Sequence, residues 1–189
     1  MRAKINLSGF FSEMNKKKSE IDKLVRKKMP VHAGRIAVNH VQENFRKGGF
    51  VNNGLTKWKP SNRELHGSNH RTLLSGRNHL YSSTRYVPGD AKVTIKNDLP
   101  YAGIHNFGGT ITTTVTPRMR AFAWAKFYAL GGREQPVAPN VGFWKNFAIT
   151  TKKKITIKIP QRQFLGESQE MNEAIRAKMD TELEKIFKQ

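Results

Sequence analysis

Cysteine is absent from the 189-residue chain and acid is scarce: 14 Asp and Glu stand against 34 Lys and Arg, a formal net charge of +20. Without thiols there is no disulfide and no thiolate zinc site, and nothing marks an oxidising compartment. Long apolar runs are missing too. No stretch approaches the ~20 apolar residues of a membrane span, so no membrane partner is expected. Phe10-Phe11 precedes Lys16-Lys17-Lys18, whereas a signal peptide places its apolar core after its positive charges. The chain is expected to be cytoplasmic when made.

The residue sets that catalysis requires are lacking as well. Asp90 and Asp98 are the only acids in the central strand region, and both follow turn-like residues. A two-carboxylate nuclease or glycosidase needs more acid near its core. Gly108-Gly109 and Gly131-Gly132 lack the Gly-Lys-Ser/Thr ending of a phosphate-cradling loop. The serines have no nucleophile-elbow setting. His66 and His70 have the spacing of paired helical ligands, but Gly67 and Ser68 lie between them and no acid follows at ligand distance. A lone His105 in a glycine-flanked corner is more often a hydrogen-bonded structural group than a base. The expectation is a noncatalytic protein without metal or cofactor.

What is present is basic charge, unevenly spread. A free monomer carrying +20 would repel itself and bind polyanions, so the charge implies nucleic acid or acidic neighbours. No acid occurs from Gln135 to Gly166, which leaves Arg118, Arg120, Lys152, Lys153 and Lys154 without local partners. These five are the candidate contacts to DNA or to an acidic protein. From Arg118 to Tyr128 basic and aromatic residues interleave. Such a stretch suits a single-strand stacking platform, at about 1–3 kcal/mol per base, and equally a core or subunit contact. A basic nucleic-acid-binding protein without catalytic activity is the alternative reading; it rests on charge alone.

Periodicity gives an α+β order. Residues 12–29 read as a weakly amphipathic helix interrupted by Pro30, followed by a helix with Val31, Gly34, Val38, Val41 and Phe45 on one face, widened by Ala33 and Ala37 and ended by Gly48-Gly49. Residues 50–79 read as a long loop anchored by Trp58, with a short helix through Ser75-Gly76. Ser82–Val87 and Ala91–Asn97 form a hairpin about Pro88-Gly89-Asp90. Ile111–Thr116 and Lys154–Ile159 are strands, Met119–Leu130 a helix or aromatic insertion, and Gly131–Gly142 a loop. Met171, Ile175, Met179, Leu183 and Ile186-Phe187 mark a closing helix. The expected fold is N-terminal helices, an antiparallel meander sheet with an inserted aromatic and basic segment, and a C-terminal helix packing on the sheet.

Two segments concentrate aromatic, glycine, proline and single basic residues, as a tight structural corner does: Pro100–Gly109 and Ile159–Ser168. With Gly54 before Trp58 and Pro60, and with Arg71–Ser82 as a leucine pair, glycine, leucine and serine segment, they fall in one order. In that order the chain resembles the phage virion morphogenesis (tail completion) family of Mu-like and P2-like phages, over roughly residues 30 to 187. The resemblance rests on Trp58, Leu74, Gly76, Tyr101, His105, Phe107, Gly108, Gly109, Arg162, Phe164 and Gly166, which it implies are structural. It departs at 110–158, where this chain inserts a segment carrying Trp124, Trp144 and the lysine run into one domain spanning 1–189. The family resemblance implies a structural protein acting late in assembly, which completes the tail or joins it to the filled head. It also implies a ring of copies at the neck of the virion. Its expected partners are copies of itself, neck or tail-tube proteins such as a portal adaptor or tail terminator, and packaged double-stranded DNA.

Overall fold

In the computed structural model, which describes residues 7–61, 71–74, 76–134 and 140–188, Pro30 does not interrupt the amino-terminal helix. Helix α1 (Ser8–Lys23) passes through a π-helical turn at Leu24–Lys28 into α2 (Met29–Lys47). Proline has no N–H to offer the carbonyl four residues back. Here that carbonyl belongs to Arg26 and accepts the N–H of Ala91 at 3.1 Å, while Met29 N–H reaches back five residues to Leu24. The Arg26 guanidinium also meets Asp22 at 2.9 Å and Asp90 at 2.8 Å. A turn distant in sequence thus supplies the bond that proline withholds.

Helix α2 buries Gly34, Ala37, Val41 and Asn44 at steps of 3, 4 and 3 residues, with Phe45 beside them, so one face points inward, and Val38 is only half-buried. Gly48, at φ 67°, ends it in the left-handed region and donates its N–H to Phe45 at 3.3 Å. The expected loop then begins with a hairpin, β1 (Gly49–Val51) with β2 (Leu55–Lys57), turning through Asn53 and Gly54 at positive φ. Strands of three residues are too short to show an alternating pattern.

His66, His70 and Ser75 lie outside the described residues. The short helix falls later than expected, as α3 (His79–Ser82), with Gly76 in a turn ahead of it. Strands β3 (Thr84–Gly89) and β4 (Lys92–Asn97) pair from Thr84↔Asn97 to Gly89↔Lys92. The turn is therefore Asp90-Ala91, with Ala91 at φ 50°, and Pro88 sits in the strand opposite Val93. This register places Asp90 and Ala91 on Arg26. Helix α4 (Ala102–Phe107) follows.

The closing helix, α7 (Gln169–Lys188), starts at Ser168, whose hydroxyl accepts Met171 N–H at 3.3 Å. It packs along α2 and α1, not on a sheet, with Met171, Ile175, Met179, Leu183 and Ile186 half-buried and Phe187 exposed. The physical reason lies in the strands. Among the described residues they form separate two-stranded antiparallel ladders, not one meander, and the β3–β4 ladder already packs against α2. The α+β class and the antiparallel pairing hold.

The chain divides into two compact units, Met1–Gly108 with Pro160–Gln189, and Gly109–Ile159. The core of the first gathers Val41, Phe45, Trp58, Leu80, Ala102 and Phe164. The second contains β5 (Gly109–Thr114), α5 (Pro117–Ala129), α6 (Val141–Ala148) and β6 (Lys154–Ile159), with β5 antiparallel to β6. Thr116 caps α5 by accepting Met119 N–H at 3.2 Å. Gly131 and Gly132 end it by donating to Tyr128 at 3.1 Å and Phe127 at 3.0 Å, the paired bonds of a Schellman motif. Helix α6, which was not expected, packs on α5; Val141 and Ala148 are buried on it, and Ala123 and Phe127 on α5.

Gly34 lets α2 approach β3. A Cβ at this position would lie 2.9 Å from Tyr86 Cβ and closer still to the ring. Gly34→Ala is expected to destabilise the fold by about 1–3 kcal/mol through overpacking, and Tyr86→Ala in the same chain to recover part of the loss. Denaturant melts of both variants check this.

Candidate functional site

The flagged positions of the first unit converge on one extended segment, Pro160–Gly166. Helix α4, helix α2 and Trp58 bind its backbone. His105 C=O, in α4, accepts Arg162 N–H at 2.8 Å. Asn106 accepts Phe164 N–H and Leu165 N–H on Oδ1, both at 2.9 Å, and donates Nδ2 to Leu165 C=O at 3.0 Å. Asn44 of α2, fully buried, donates to Phe164 C=O at 3.2 Å and accepts Val51 N–H of β1 at 3.0 Å. Trp58, just after β2, donates its indole N–H to Gln163 C=O at 2.7 Å. Arg162 is 7% exposed and donates Nε to Lys59 C=O at 2.8 Å and Nη2 to Pro60 C=O at 3.3 Å.

An extended segment without sheet partners would bury unpaired backbone groups, so side-chain amides take the place of a ladder. Phe164 then inserts its ring, 1% exposed, beside Phe45 at 5.1 Å between centroids; Phe45 in turn meets Trp58 at 5.4 Å. Gly108 stands at φ 71°, and a Cβ there would come within 2.8 Å of Gln161 N. Both facts call for glycine. Gly109 is also in the positive region, at φ 148°, but is exposed.

A cleft of about 430 Å³ beside this segment is lined by Arg71, Arg77, Tyr101, His105 and Arg162, among others, with half-buried Leu74 at its wall. His105 Nδ1 is enclosed with no hydrogen-bond partner among the described residues. Burial, and then the charge of Arg162, holds its imidazole below the ordinary value. Two flagged positions stand apart: Gly76 is exposed, and Phe107 is 75% exposed, its ring outside the core. Gly166 lies between Gln163 and Phe50. Asn44 and Asn106 escaped sequence reading. Asparagine on a helix reads as a solvent-facing residue, and the only signal was that Asn44 interrupts an apolar face next to Phe45.

The flagged cations of the second unit come together at one end of the β5–β6 ladder. Thr114 pairs with Lys154, and Val115 N–H donates to Lys153 C=O at 2.9 Å; α5 begins two residues further on. Arg118, Lys152, Lys153 and Lys154 are exposed, and among the described residues none makes an ion pair. Arg120 is half-buried, its Nε enclosed. No three His, Asp or Glu side chains among the described residues cluster as a metal site would require. Asp90 is paired with Arg26, and Asp98 with Arg85 and Lys96.

The model of the phage virion morphogenesis family matches residues 26–184, from the π-helical turn into the last turns of α7. This chain belongs to that family. No curated protein and no solved structure matches it. Within the matched residues Asn44, Asn106, Trp58 and Arg162 form a scaffold of buried amide, indole and guanidinium bonds. No helix among the described residues is long and apolar enough to cross a membrane.

Two outcomes are expected. Asn106→Ala leaves two buried N–H groups unpaired, at about 1–3 kcal/mol each, and Phe164→Ala costs about 3–5 kcal/mol; chemical denaturation measures both. His40 and His105 are both held below the usual imidazole value, mainly by burial. The unfolded chain therefore takes up protons first as pH falls through about 6.5. Stability is complete above that pH and declines below it, and His105→Asn should flatten the decline of melting temperature between about pH 7 and 5.

Proposed function

We propose that this protein is a noncatalytic assembly component that completes the tail, or joins it to the filled head, as a ring of copies at the virion neck. Family membership supports a role in virion morphogenesis. The observation that carries the finer reading is the exposed cationic cluster at one end of the β5–β6 ladder, Arg118 with Lys152, Lys153 and Lys154, which has no acidic partner among the described residues. Cations that offset no local charge add little to folding and much to repulsion. Placed around the path of the genome they meet packaged DNA; placed against an acidic ring of the neck or tail they meet protein. The absence of paired acids, nucleophile or ligand set from the sequence fits a structural role, and the corner motifs hold backbone: Asn106 and Trp58 bind the Gln163–Leu165 stretch, and Arg162 binds Lys59 and Pro60.

Reversal of Arg118, Lys152, Lys153 and Lys154 to Glu tests this. Arg120 is left in place because its Nε is buried. The quadruple variant is expected to melt within about 1 kcal/mol of the parent, since these side chains are exposed, yet to lose most DNA retention or head–tail joining when it replaces the parent during particle assembly. Four phosphate contacts would weaken DNA binding by the free parent protein roughly 10²-fold between about 50 and 200 mM salt. Weak, salt-insensitive DNA binding with failed joining assigns the cluster to an acidic protein ring. Normal infectious particles from the quadruple variant would overturn the reading.

A further inference from the structure

The β5–β6 ladder is too exposed to be complete by itself. It pairs from Gly109↔Ile159 to Thr114↔Lys154, and among the described residues no third strand joins either edge. Both faces are open. On one, Ile111 is 41% and Ile157 43% exposed; on the other, Thr110, Thr112, Lys154, Thr156 and Lys158 are exposed. A two-stranded ribbon uncovered on both faces is marginal in water.

Hydrogen bonding fixes which backbone groups are free. Val115 N–H donates to Lys153 C=O, so this position is a hydrogen-bonded pair. Alternation in an antiparallel ladder then turns the N–H and C=O of Thr110, Thr112 and Thr114 outward on β5, and those of Lys154, Thr156 and Lys158 outward on β6. The contact of Thr112 Oγ1 with Thr156 Oγ1 at 3.3 Å fits the close, non-hydrogen-bonded type of pair. Protein sheet edges are usually blunted by lysine, proline or a bulge. The β5 edge has none of these: Gly109–Thr114 reads GTITTT.

We propose that the β5–β6 ribbon of one copy pairs edge to edge with the same ribbon of a second copy, β5 against the neighbour's β6. The proposal rests on the ring reading above and names its interface. Charge and closure select this pairing. Joining β6 to β6 would set Lys154 and Lys158 of two copies against each other, and opposed like charges destabilise a ladder. Joining β5 to β5 links two copies and leaves both β6 edges open. Joining β5 to β6 uses both edges of every copy, keeps the antiparallel order, and propagates until the ring closes and no edge remains. It also collects Lys154 and Lys158 of all copies on one face of the combined sheet, and Ile111, Ile155, Ile157 and Ile159 on the other.

The chain has no cysteine, so introduced thiols report only the pairing tested. A size-tagged Thr112→Cys chain is co-assembled with chains carrying Lys154→Cys, Thr156→Cys or Lys158→Cys, then oxidised. At least one mixture is expected to give a disulfide-linked heterodimer, with Thr112→Cys alone giving none. Thr112→Pro removes an outward N–H and leaves the inward bonds, so it should reduce the oligomer to monomer by light scattering while circular dichroism shows the chain still folded. Cross-linking of Thr112→Cys to itself would overturn the proposed pairing. An oligomer of parental size with Thr112→Pro, and no cross-link in any mixture, would overturn the interface while leaving the ring intact. A parent chain that stays monomeric both free and in particles would overturn the ring and this interface together.

Discussion

The side-chain amide of Asn106 is the interaction on which the rest of the first unit depends. It holds the backbone of Phe164 and Leu165 through three hydrogen bonds, which seats the Phe164 ring against Phe45. The same grip has a topological role. The chain leaves the first unit at Gly108 and returns at Pro160, so its two ends must be held together against the entropy of a long intervening segment. Asn106, the Arg162 N–H bond to His105 and the contact of Gly108 with Gln161 form that clasp. Buried polar groups are costly when unpaired: Asn44, Asn106 and Trp58 pair with backbone groups of the Phe164 stretch, and Arg162 reaches from that stretch to the Lys59 and Pro60 carbonyls.

Charge is handled differently in different parts of the chain. Along α7, Glu182 accepts from Lys178 and Lys185, both at 2.8 Å, and these partners pull its carboxyl down to about 2. Asp90 and Asp98 are similarly matched by arginines on the first unit. These are surface pairs, each of small net effect. The cations at the end of the β5–β6 ladder have no such company. On the proposed reading, the β5 edge and the bare charge are features that neighbours in the particle would satisfy.

Much of the element order was legible from residues alone because it follows from local rules. The β6 strand falls on Lys154–Ile159 as its alternation indicates, and α2 ends at Gly48 as glycine chemistry indicates. The misreadings have two causes: contacts with distant segments, and elements too short to show a period. Pro30 looked like a stop because the sequence cannot show that Ala91 will take the freed carbonyl of Arg26. The turn looked like Pro88-Gly89-Asp90, but pairing to Gly89↔Lys92 leaves only Asp90 and Ala91 in it. The closing helix was expected on a sheet, and it lies on helices because the strands do not join into one. The first hairpin and α6 were too short for a period to emerge.

The corner motifs show the division most clearly. Glycine at 108, the apolar Phe164 and the basic Arg162 were conspicuous by residue type, since backbone freedom, apolar bulk and charge are properties a residue carries with it. Asn44 and Asn106 were not, because an amide has no fixed preference: exposed it is hydrated, buried it is a paired donor and acceptor. By itself the sequence determined the charge, the apolar stripes, the caps and the breakers, all set by neighbours within a few positions. Only the tertiary structure decided which polar groups would be buried, because burial of an amide depends on the carbonyl and N–H groups that a distant segment brings to it.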